Sequence, residues 1–330
     1  MRSAWVIGLV LTAACGGRSA GYSAAPSPVP TTTSTSLQVV FVTYVGNQKH
    51  WTDPATQGPA LIARDNAFWN GAHGSWGEIS LSGTTYPTWV DSTQSMSGGC
   101  SLGKINQDVV TAYGGLPPTN TIRMIVLPPG TPCNSQASGS IPLGGSATIF
   151  TVGGSAIEHE TGHAFGLAHY PAYHCSSTGC YIQAQGPYTV MGDGTHGDAL
   201  NVPERIQLGV YSSTFQLMTV TSSQDVTLQV ADTMTPGIKG VSVQTSDSAH
   251  TLYVERRSGD YVSNGVILWG YPQGALLDLD RSTTTDRWMM KVGETYRDGT
   301  YVCLTLLAQD ATTAKVHVDV PCSAVTPAAP

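Results

Sequence analysis

The pattern of apolar positions changes once along this chain of 330 residues. In the first part, apolar runs of strand length at 37–45 and 121–130 flank a segment, 58–72, in which apolar residues recur at helical intervals. The second run ends at two prolines, which terminate a strand. This order predicts an α/β (α+β) domain with a mixed sheet over residues 37–218.

From residue 219 the pattern becomes a series of short alternating segments separated by Gly, Asp and Ser turns. These segments are DVTLQV, GVSVQT, HTLYVER, GVILWGY, YVCLTLL and AKVHVDV. Regular short strands without an intervening helical pattern are typical of a β-sandwich. We therefore expect an all-β, sandwich-like domain at 219–330.

The N-terminal segment has the pattern of an export signal. Residues 1–15 hold one early cation, an apolar run and small residues before Cys15, which resembles a bacterial lipobox cysteine. The alternative is a plain secretory signal that happens to end near a cysteine. Residues 16–36 are rich in Pro, Ser and Thr and predict a flexible tether. No later run is long enough to span a membrane, so we expect membrane attachment only through a lipid at Cys15.

Composition supports an exported protein. Charged residues make up only 11 % of the chain and its net charge is -7, which argues against nucleic acid as a partner. Six further cysteines predict three disulfides in an oxidising compartment, with buried free thiols as the alternative. Proximity in sequence favours the pairs Cys100–Cys133, Cys175–Cys180 and Cys303–Cys322.

The chemistry is concentrated in the sequence HETGHAFGLAH, which holds three of the nine histidines. Helical spacing places His159 and His163 one turn apart on the same face, and His169 can reach the same ion if the chain turns back. Three neutral imidazoles leave one tetrahedral position open, as in a catalytic zinc site. Glu160 would then act as the general base on water.

Two local signals predict the ends of this helix. Ser155 and Glu158 form an S-x-x-E capping box, so we expect the helix to begin at Ser155. Gly166 lies where the helix must end, because glycine accepts a left-handed backbone without steric cost.

The motif HExxHxxGxxH is the signature of the metzincin zinc peptidases, which also have a downstream Met-turn. GPYTVMGDG supplies that turn, with Met191 as an apolar floor beneath the ligands. Within the metzincins, YTVMG most resembles the gametolysin family. Further stretches resembling that family are NAFWNGAHGSWGEISLSG, IRMIVLPPG, GGSATIF and NVPERIQLGV; together they extend over residues 37–215.

The resemblance implies a zinc endopeptidase with one catalytic zinc ion and a cleft across the zinc helix. It also implies that SATIF, at 146–150, forms an edge strand that pairs with an extended peptide. Some metzincins carry a tyrosine at the position of Asp193. Tyr188 and Tyr170 are therefore weighed as oxyanion stabilisers, against ordinary packing.

Weaker signals complete the pattern. His174 and His196 could line a cleft, but solvated loop histidines are commoner. Residues 276–286 have oxygens suited to calcium without a recognisable calcium loop, so a solvated turn is favoured.

We therefore predict an exported zinc metalloendopeptidase, a cell-envelope lipoprotein or a secreted protein. We expect it to be a monomer that acts on protein or peptide substrates. Two rival hypotheses stay open: a catalytically silent binding or adhesion protein, and a zinc amidase acting on cell-wall material. An intact Glu160 weighs against the first, and a predicted open cleft weighs against the second.

Overall fold

The computed structural model describes most of the chain after residue 33. The described residues are 34–45, 50–70, 79–95, 99–139, 146–154, 156–176, 179–192, 200–208, 215–231, 233, 235–244, 251–259, 262–270, 275–279, 287–298 and 300–322. The predicted signal with Cys15, most of the predicted tether, Asp193 and His196 lie outside them. The first strand begins at Thr35, inside the segment predicted as tether.

The protein is mixed α/β with several sheets, in agreement with the predicted class. Its first sheet has six strands: β1 (Thr35–Val45), β2 (Leu81–Thr85), β3 (Val90–Ser95), β4 (Thr121–Leu127), β5 (Gln136–Gly139) and β6 (Ala147–Val152). Three helices belong to this part: α1 (Pro54–Trp69), α2 (Leu102–Tyr113) and α3 (Ile157–Ala164). The order is β2-β1-β4-β6-β5, and β3 also pairs with β1.

This sheet is buried on both faces, which explains why its central strands are apolar without alternation. Along β1, Val39 and Phe41 pack in one hydrophobic cluster, whereas Val40 and Val42 pack in another. The first cluster includes residues of α1 and α3, and the second includes residues of α2. The helix α3 therefore lies on the face that α1 also covers.

The expectation that SATIF is the edge strand is wrong. β6 pairs in parallel with β4 on one side and antiparallel with β5 on the other. β5 is the last strand of the described sheet on that side, and it lies beside α3. The edge next to the candidate site is therefore four residues of β5.

The remaining elements are mostly strands. They are β7 (Ala172–Ser176), β8 (Gly179–Gln183), the helix α4 (Val202–Leu208), β9 (Phe215–Val220), β10 (Gln224–Gln229), β11 (Gly237–Val243), β12 (Leu252–Gly259), β13 (Val262–Gly270), β14 (Ala275–Leu277), β15 (Thr295–Asp298), β16 (Val302–Gln309) and β17 (Thr313–Asp319). Each of the six segments predicted as strands after residue 219 contributes a strand.

These strands form a seven-stranded sheet, β8-β7-β14-β13-β12-β11-β9, and a four-stranded sheet, β10-β17-β16-β15. One hydrophobic cluster contains Val254 and Leu268 of the first sheet together with Leu304 and Val316 of the second. Two sheets thus share one core, the arrangement on which a sandwich depends.

The seven-stranded sheet extends across the predicted domain boundary. β14 pairs in parallel with β7, with Leu276 opposite Ala172 and Leu277 opposite Tyr173. The hairpin of β7 and β8, which follows the histidine motif directly, is therefore continuous with the C-terminal strands. The division at 218 and 219 stays a prediction.

All three predicted disulfides are present. The Cα atoms of Cys100 and Cys133 are 5.0 Å apart, those of Cys175 and Cys180 are 4.1 Å apart, and those of Cys303 and Cys322 are 4.9 Å apart. Several disulfides fit an exported protein. None of the helices in the described part of the chain is long and apolar enough to cross a membrane.

Candidate metal centre

The helix α3 carries the first two histidines and is attached to α1 by two polar contacts. Arg64 of α1 donates from Nε and Nη2 to the two carboxylate oxygens of Glu158, at 2.5 and 2.7 Å. The neighbouring Asp65 accepts a hydrogen bond from Thr161 Oγ1 at 2.8 Å, and both of these side chains are fully buried. The two contacts fix the rotation of α3 about its own axis.

The predicted start of α3 needs correction. The helix begins at Ile157, and its N-cap residue is Ala156, which has a φ of 54° and no side-chain capping bond. Ser155 lies outside the described residues. The carboxylate of Glu158, the other residue of the predicted capping box, accepts from Arg64.

The helix ends as predicted. Gly166 has a φ of 91°. Its N–H donates to the carbonyl of His163 at 2.9 Å, and the N–H of Leu167 donates to the carbonyl of Gly162 at 3.0 Å. This pair of bonds is a Schellman motif, which reverses the chain and returns it towards the helix.

The reversal brings the three histidines of the motif together. Nε2 of His169 lies 3.1 Å from Nε2 of His159 and 3.0 Å from Nε2 of His163. The three candidate ligand atoms all lie within 4.8 Å of one another. His159 and His163 are half-buried, and His169 is exposed. The centre is thus open to solvent on the side of His169.

Backbone carbonyls orient two of the rings. Nδ1 of His159 lies 2.7 Å from the carbonyl oxygen of Val190, and Nδ1 of His163 lies 2.8 Å from that of Leu167. A carbonyl oxygen can only accept, so Nδ1 carries the proton in both rings. Their Nε2 atoms therefore present lone pairs. A carbonyl oxygen that accepts from one ring nitrogen fixes the tautomer in which the other nitrogen can bind a metal.

This donor set fits a zinc ion. Two lone pairs fixed by backbone contacts converge on a third ring nitrogen, and a cation removes the repulsion that their approach creates. Ligands at the usual Zn–N distance in a tetrahedron are about 3.3 Å apart, close to the 3.0 and 3.1 Å seen here. Three protein ligands leave one position for water or substrate, as in catalytic sites.

Electrostatics favours neutral rings at the centre. Burial lowers the pKa of His159 and of His163 below its ordinary value. Burial, followed by the nearby His163 and His159, lowers the pKa of His169 to about 4. Neutral imidazole is the form that binds a metal.

Glu160 follows His159 in α3, and its side chain is 4 % exposed. Its Oε2 atom is buried and has no hydrogen-bond partner among the described residues. Burial raises the pKa of this carboxyl to about 8. A buried carboxyl group with an unengaged oxygen is suited to exchanging a proton with a molecule that enters the centre.

Met191 lies under α3, where the sequence places it. Its side chain is fully buried, and a Cβ added to Gly162 would overlap its Sδ atom and lie 3.3 Å from its Cε atom. The preceding residue, Val190, provides the carbonyl that orients His159. The turn at 190 and 191 therefore supports the centre both by packing and by a hydrogen bond.

That turn is held in place by α4. Glu204 is fully buried, and its Oε1 atom accepts a short hydrogen bond from the hydroxyl group of Thr189. Its Oε2 atom accepts from the N–H of Asn201 at 2.6 Å, and the N–H of Glu204 donates to Asn201 Oδ1 at 2.7 Å. The second pair is a reciprocal capping box. Burial raises the pKa of Glu204 to about 8.

The start of α4 is also bound to the C-terminal strands. The carbonyl of Leu200 accepts from Nη2 of Arg257 at 3.0 Å. The same Nη2 donates to Glu255 Oε1 at 3.1 Å, and that oxygen accepts from Nε1 of Trp269 at 2.7 Å. Buried polar contacts thus connect β12 and β13 to the segment that supports the histidines.

The residues that the sequence offered as oxyanion stabilisers, cleft histidines or calcium ligands make other contacts. The hydroxyl of Tyr170 donates to Gln207 Oε1 at 3.2 Å, and Tyr188 packs against a cluster that includes Trp269. His174 is buried rather than solvated, and its ring stacks on that of Tyr181 with centroids 4.8 Å apart. Asp278 accepts from the N–H groups of Cys175 and Arg287, so its oxygens brace the backbone.

Two contacts near the centre, that of Glu204 with Thr189 and that of Gln185 with His169, have no counterpart in the sequence predictions. The N-x-x-E spacing of Asn201 and Glu204 is a capping signal that could have predicted the start of α4, but nothing in it indicates Thr189. Gln185 places its amide nitrogen 3.0 Å from Nε2 of His169, and no motif predicts that contact.

No protein-family model matches the chain, and no curated protein sequence matches it.

Proposed function

We propose that this protein is an exported zinc metalloendopeptidase, in which His159, His163 and His169 hold one zinc ion. The observation that carries the proposal is the convergence of three Nε2 atoms, two of them oriented by backbone carbonyls, at a helix that also carries the buried carboxyl of Glu160. A structural zinc site would close the fourth position with another protein ligand. Among the described residues, no fourth His, Cys, Asp or Glu belongs to this group.

Hydrolysis adds the oxygen of a water molecule to the carbonyl carbon and breaks the C–N bond, giving a carboxylate and an amine. Zinc, when bound, polarises the carbonyl group and lowers the pKa of water. In its carboxylate form, Glu160 takes the proton that the attacking water loses and delivers it to the amine nitrogen as the bond breaks. His159 and His163 keep their protons on Nδ1 throughout.

The substrate is a protein or peptide that binds in extended form along β5. This strand is the last one of the described first sheet on its side, and it lies beside the helix that carries His159 and His163. Pairing with the backbone of an edge strand provides affinity with little dependence on sequence. This assignment transfers to β5 the role that the sequence had suggested for SATIF.

The finer fold and the location are part of the same proposal. We assign the N-terminal part to a metzincin-type fold of the gametolysin kind, because the Schellman turn and the buried Met191 fit the pattern that the motif implies. The C-terminal strands form a sandwich-like domain. The protein acts as a monomer outside the cytoplasm, released or attached to the membrane by a lipid at Cys15.

The test is a paired measurement on the purified chain. Zinc is quantified by elemental analysis, and cleavage of unfolded casein is followed with and without a chelator. The proposal expects about one zinc per chain and cleavage that the chelator abolishes and added zinc restores. Bound zinc without cleavage of any protein would favour a silent binding protein, and release of amino groups only from cell-wall material would favour the amidase.

Variants assign the roles within the site. Glu160→Gln removes the base, so zinc should stay bound while the rate falls by about two orders of magnitude or more. Asp108→Asn is the matched control, because this carboxylate lies on α2 and binds Ser92 and Thr93 of β3. His163→Ala should lose the metal. Normal turnover by Glu160→Gln, or full zinc content in His163→Ala, would contradict the assignments.

A further inference from the structure

A hydrogen-bond donor accelerates peptide hydrolysis when it stabilises the carbonyl oxygen, which becomes negative as water attacks. The two tyrosines considered from the sequence have other surroundings. Tyr170 is 1 % exposed and donates its hydroxyl to Gln207. Tyr188 packs against the cluster of Ala172, Ile267, Trp269 and Leu276.

The side-chain amide of Gln185 lies next to the third histidine. Its Nε2 atom lies 3.0 Å from Nε2 of His169, the same atom that lies 3.0 and 3.1 Å from the other two ligand nitrogens. The amide group carries two N–H donors and no charge. A neutral donor next to the ligand nitrogens does not compete with them for a cation.

Backbone contacts determine this position. The N–H of Gly186 donates to the carbonyl of Tyr170 at 2.8 Å, which places Gln185 and His169 on adjacent segments. The N–H of Tyr170 in turn donates to the carbonyl of Met191 at 3.1 Å. The carbonyl of Gln185 accepts from the side chain of Gln183 at 2.8 Å. These contacts hold the backbone of Gln185 close to the segment that carries the third histidine.

We propose that Gln185 is a catalytic residue that donates an N–H to the substrate oxygen during attack, which deepens the proposed peptidase function and rests on it. A metal held by the three histidines would engage the lone pair of His169 Nε2, and the amide N–H of Gln185 would then be free to donate to the substrate oxygen. Gln185 keeps both of its protons, while the proton from water passes through Glu160. Its contribution is a preorganised dipole at the atom where negative charge develops.

The variant Gln185→Met tests this role, because methionine has a similar length and no donor. Gln94→Met is the matched control, because its amide binds Thr93 on another element, β3. We expect the kcat of Gln185→Met to fall by about 10²–10³-fold, the range for loss of one oxyanion donor, with little change in KM. Its zinc affinity, measured by competition with a chelator, should match that of the wild type.

A second readout does not depend on turnover. A phosphinic peptide carries a tetrahedral anionic group that resembles the transition state, so its affinity should fall in parallel with kcat/KM in Gln185→Met. Calorimetry on the zinc-loaded proteins measures it. A product peptide, which lacks that tetrahedral group, should bind both proteins alike.

Three outcomes would overturn the inference, and they differ from one another. Wild-type kcat and phosphinic affinity in Gln185→Met would leave the peptidase intact but exclude this donor. Loss of zinc together with activity would make Gln185 a positioning residue for His169 instead. Zinc-loaded wild type that cleaves no peptide would remove the proposed function, and this inference with it.

Discussion

The carboxylate of Glu204 accepts a hydrogen bond from the hydroxyl group of Thr189, and this contact connects α4 to the turn beneath the histidine helix. Thr189 immediately precedes Val190, whose carbonyl orients His159. The hydroxyl oxygen of Thr189 also accepts from the N–H of Met191 at 3.3 Å. The buried carboxylate of Glu204 therefore stabilises the turn that provides both the packing of Met191 and the hydrogen bond of Val190 to His159.

Removal of the hydroxyl group should weaken zinc binding. In Thr189→Val the turn loses its contact with Glu204, and His159 loses part of its orientation. Loss of a group that orients a metal-binding histidine typically costs about tenfold or more in metal affinity. Competition with a chelator measures that affinity. Thr93→Val is the control, because Thr93 also bonds a carboxylate, Asp108, but lies on β3. Equal zinc affinity in both variants would contradict the proposed support.

Glu204 should make stability depend on pH. Its pKa is raised by burial from 4.5 to about 8. A carboxyl with a raised pKa in the folded state favours folding while it is protonated. Its contribution is thus complete below about pH 4.5 and is lost as the pH rises through 8. Arg257 opposes the shift and Glu255 adds to it.

The measurement compares the wild type with Glu204→Gln as metal-free proteins. The free energy of unfolding, obtained from urea titrations, should decrease more steeply with rising pH in the wild type than in the variant. Asp65, whose pKa burial also raises, is present in both proteins and cancels in the difference. Parallel pH profiles would show that Glu204 does not titrate in this window.

Gly162 should not tolerate a side chain. The added Cβ of Gly162→Ala would overlap Met191 Sδ, and overpacking of this kind costs about 1–3 kcal/mol. Met191→Ala should also destabilise, by about 2–5 kcal/mol, because it leaves a cavity. The double variant should cost less than the sum of the two single changes, because the methyl group introduced by Gly162→Ala occupies part of that cavity. Additive costs in denaturant titrations would contradict this packing.

The three disulfides should differ in their effect on stability. They close loops with sequence separations of 33, 19 and 5 residues. Chain entropy then predicts losses of about 4, 3 and 2 kcal/mol when each pair is replaced by serine. Denaturant midpoints of the three double-serine variants test the order. A largest loss at Cys175 and Cys180 would show that native-state contacts of that hairpin outweigh loop entropy.

Local patterns were sufficient for much of the fold. The apolar run that became β1, the two prolines after β4 and the alternating strands of the C-terminal part all appear in the structure, because strand periodicity and proline chemistry act over a few residues. The end of α3 at Gly166 is of the same kind. The disulfide pairs followed from proximity in sequence.

Where the predictions failed, a contact with another element decided the result. The helix α3 begins at Ile157 rather than at Ser155, and the carboxylate of Glu158 binds Arg64 of another helix. SATIF is not an edge strand, because β5 pairs with it. His174 is buried by Tyr181 and Trp288 rather than solvated.

The components of the centre could be predicted from local sequence: two histidines one helical turn apart, a glutamate after the first, a glycine that reverses the chain and a third histidine. The groups that support them, namely the carbonyl of Val190, the carboxylate of Glu204 and the amide of Gln185, depend on tertiary contacts. The difference lies in the range of the interactions. Backbone geometry within one turn is set by neighbouring residues, whereas a buried hydrogen bond requires two segments that only packing brings within about 3 Å of each other.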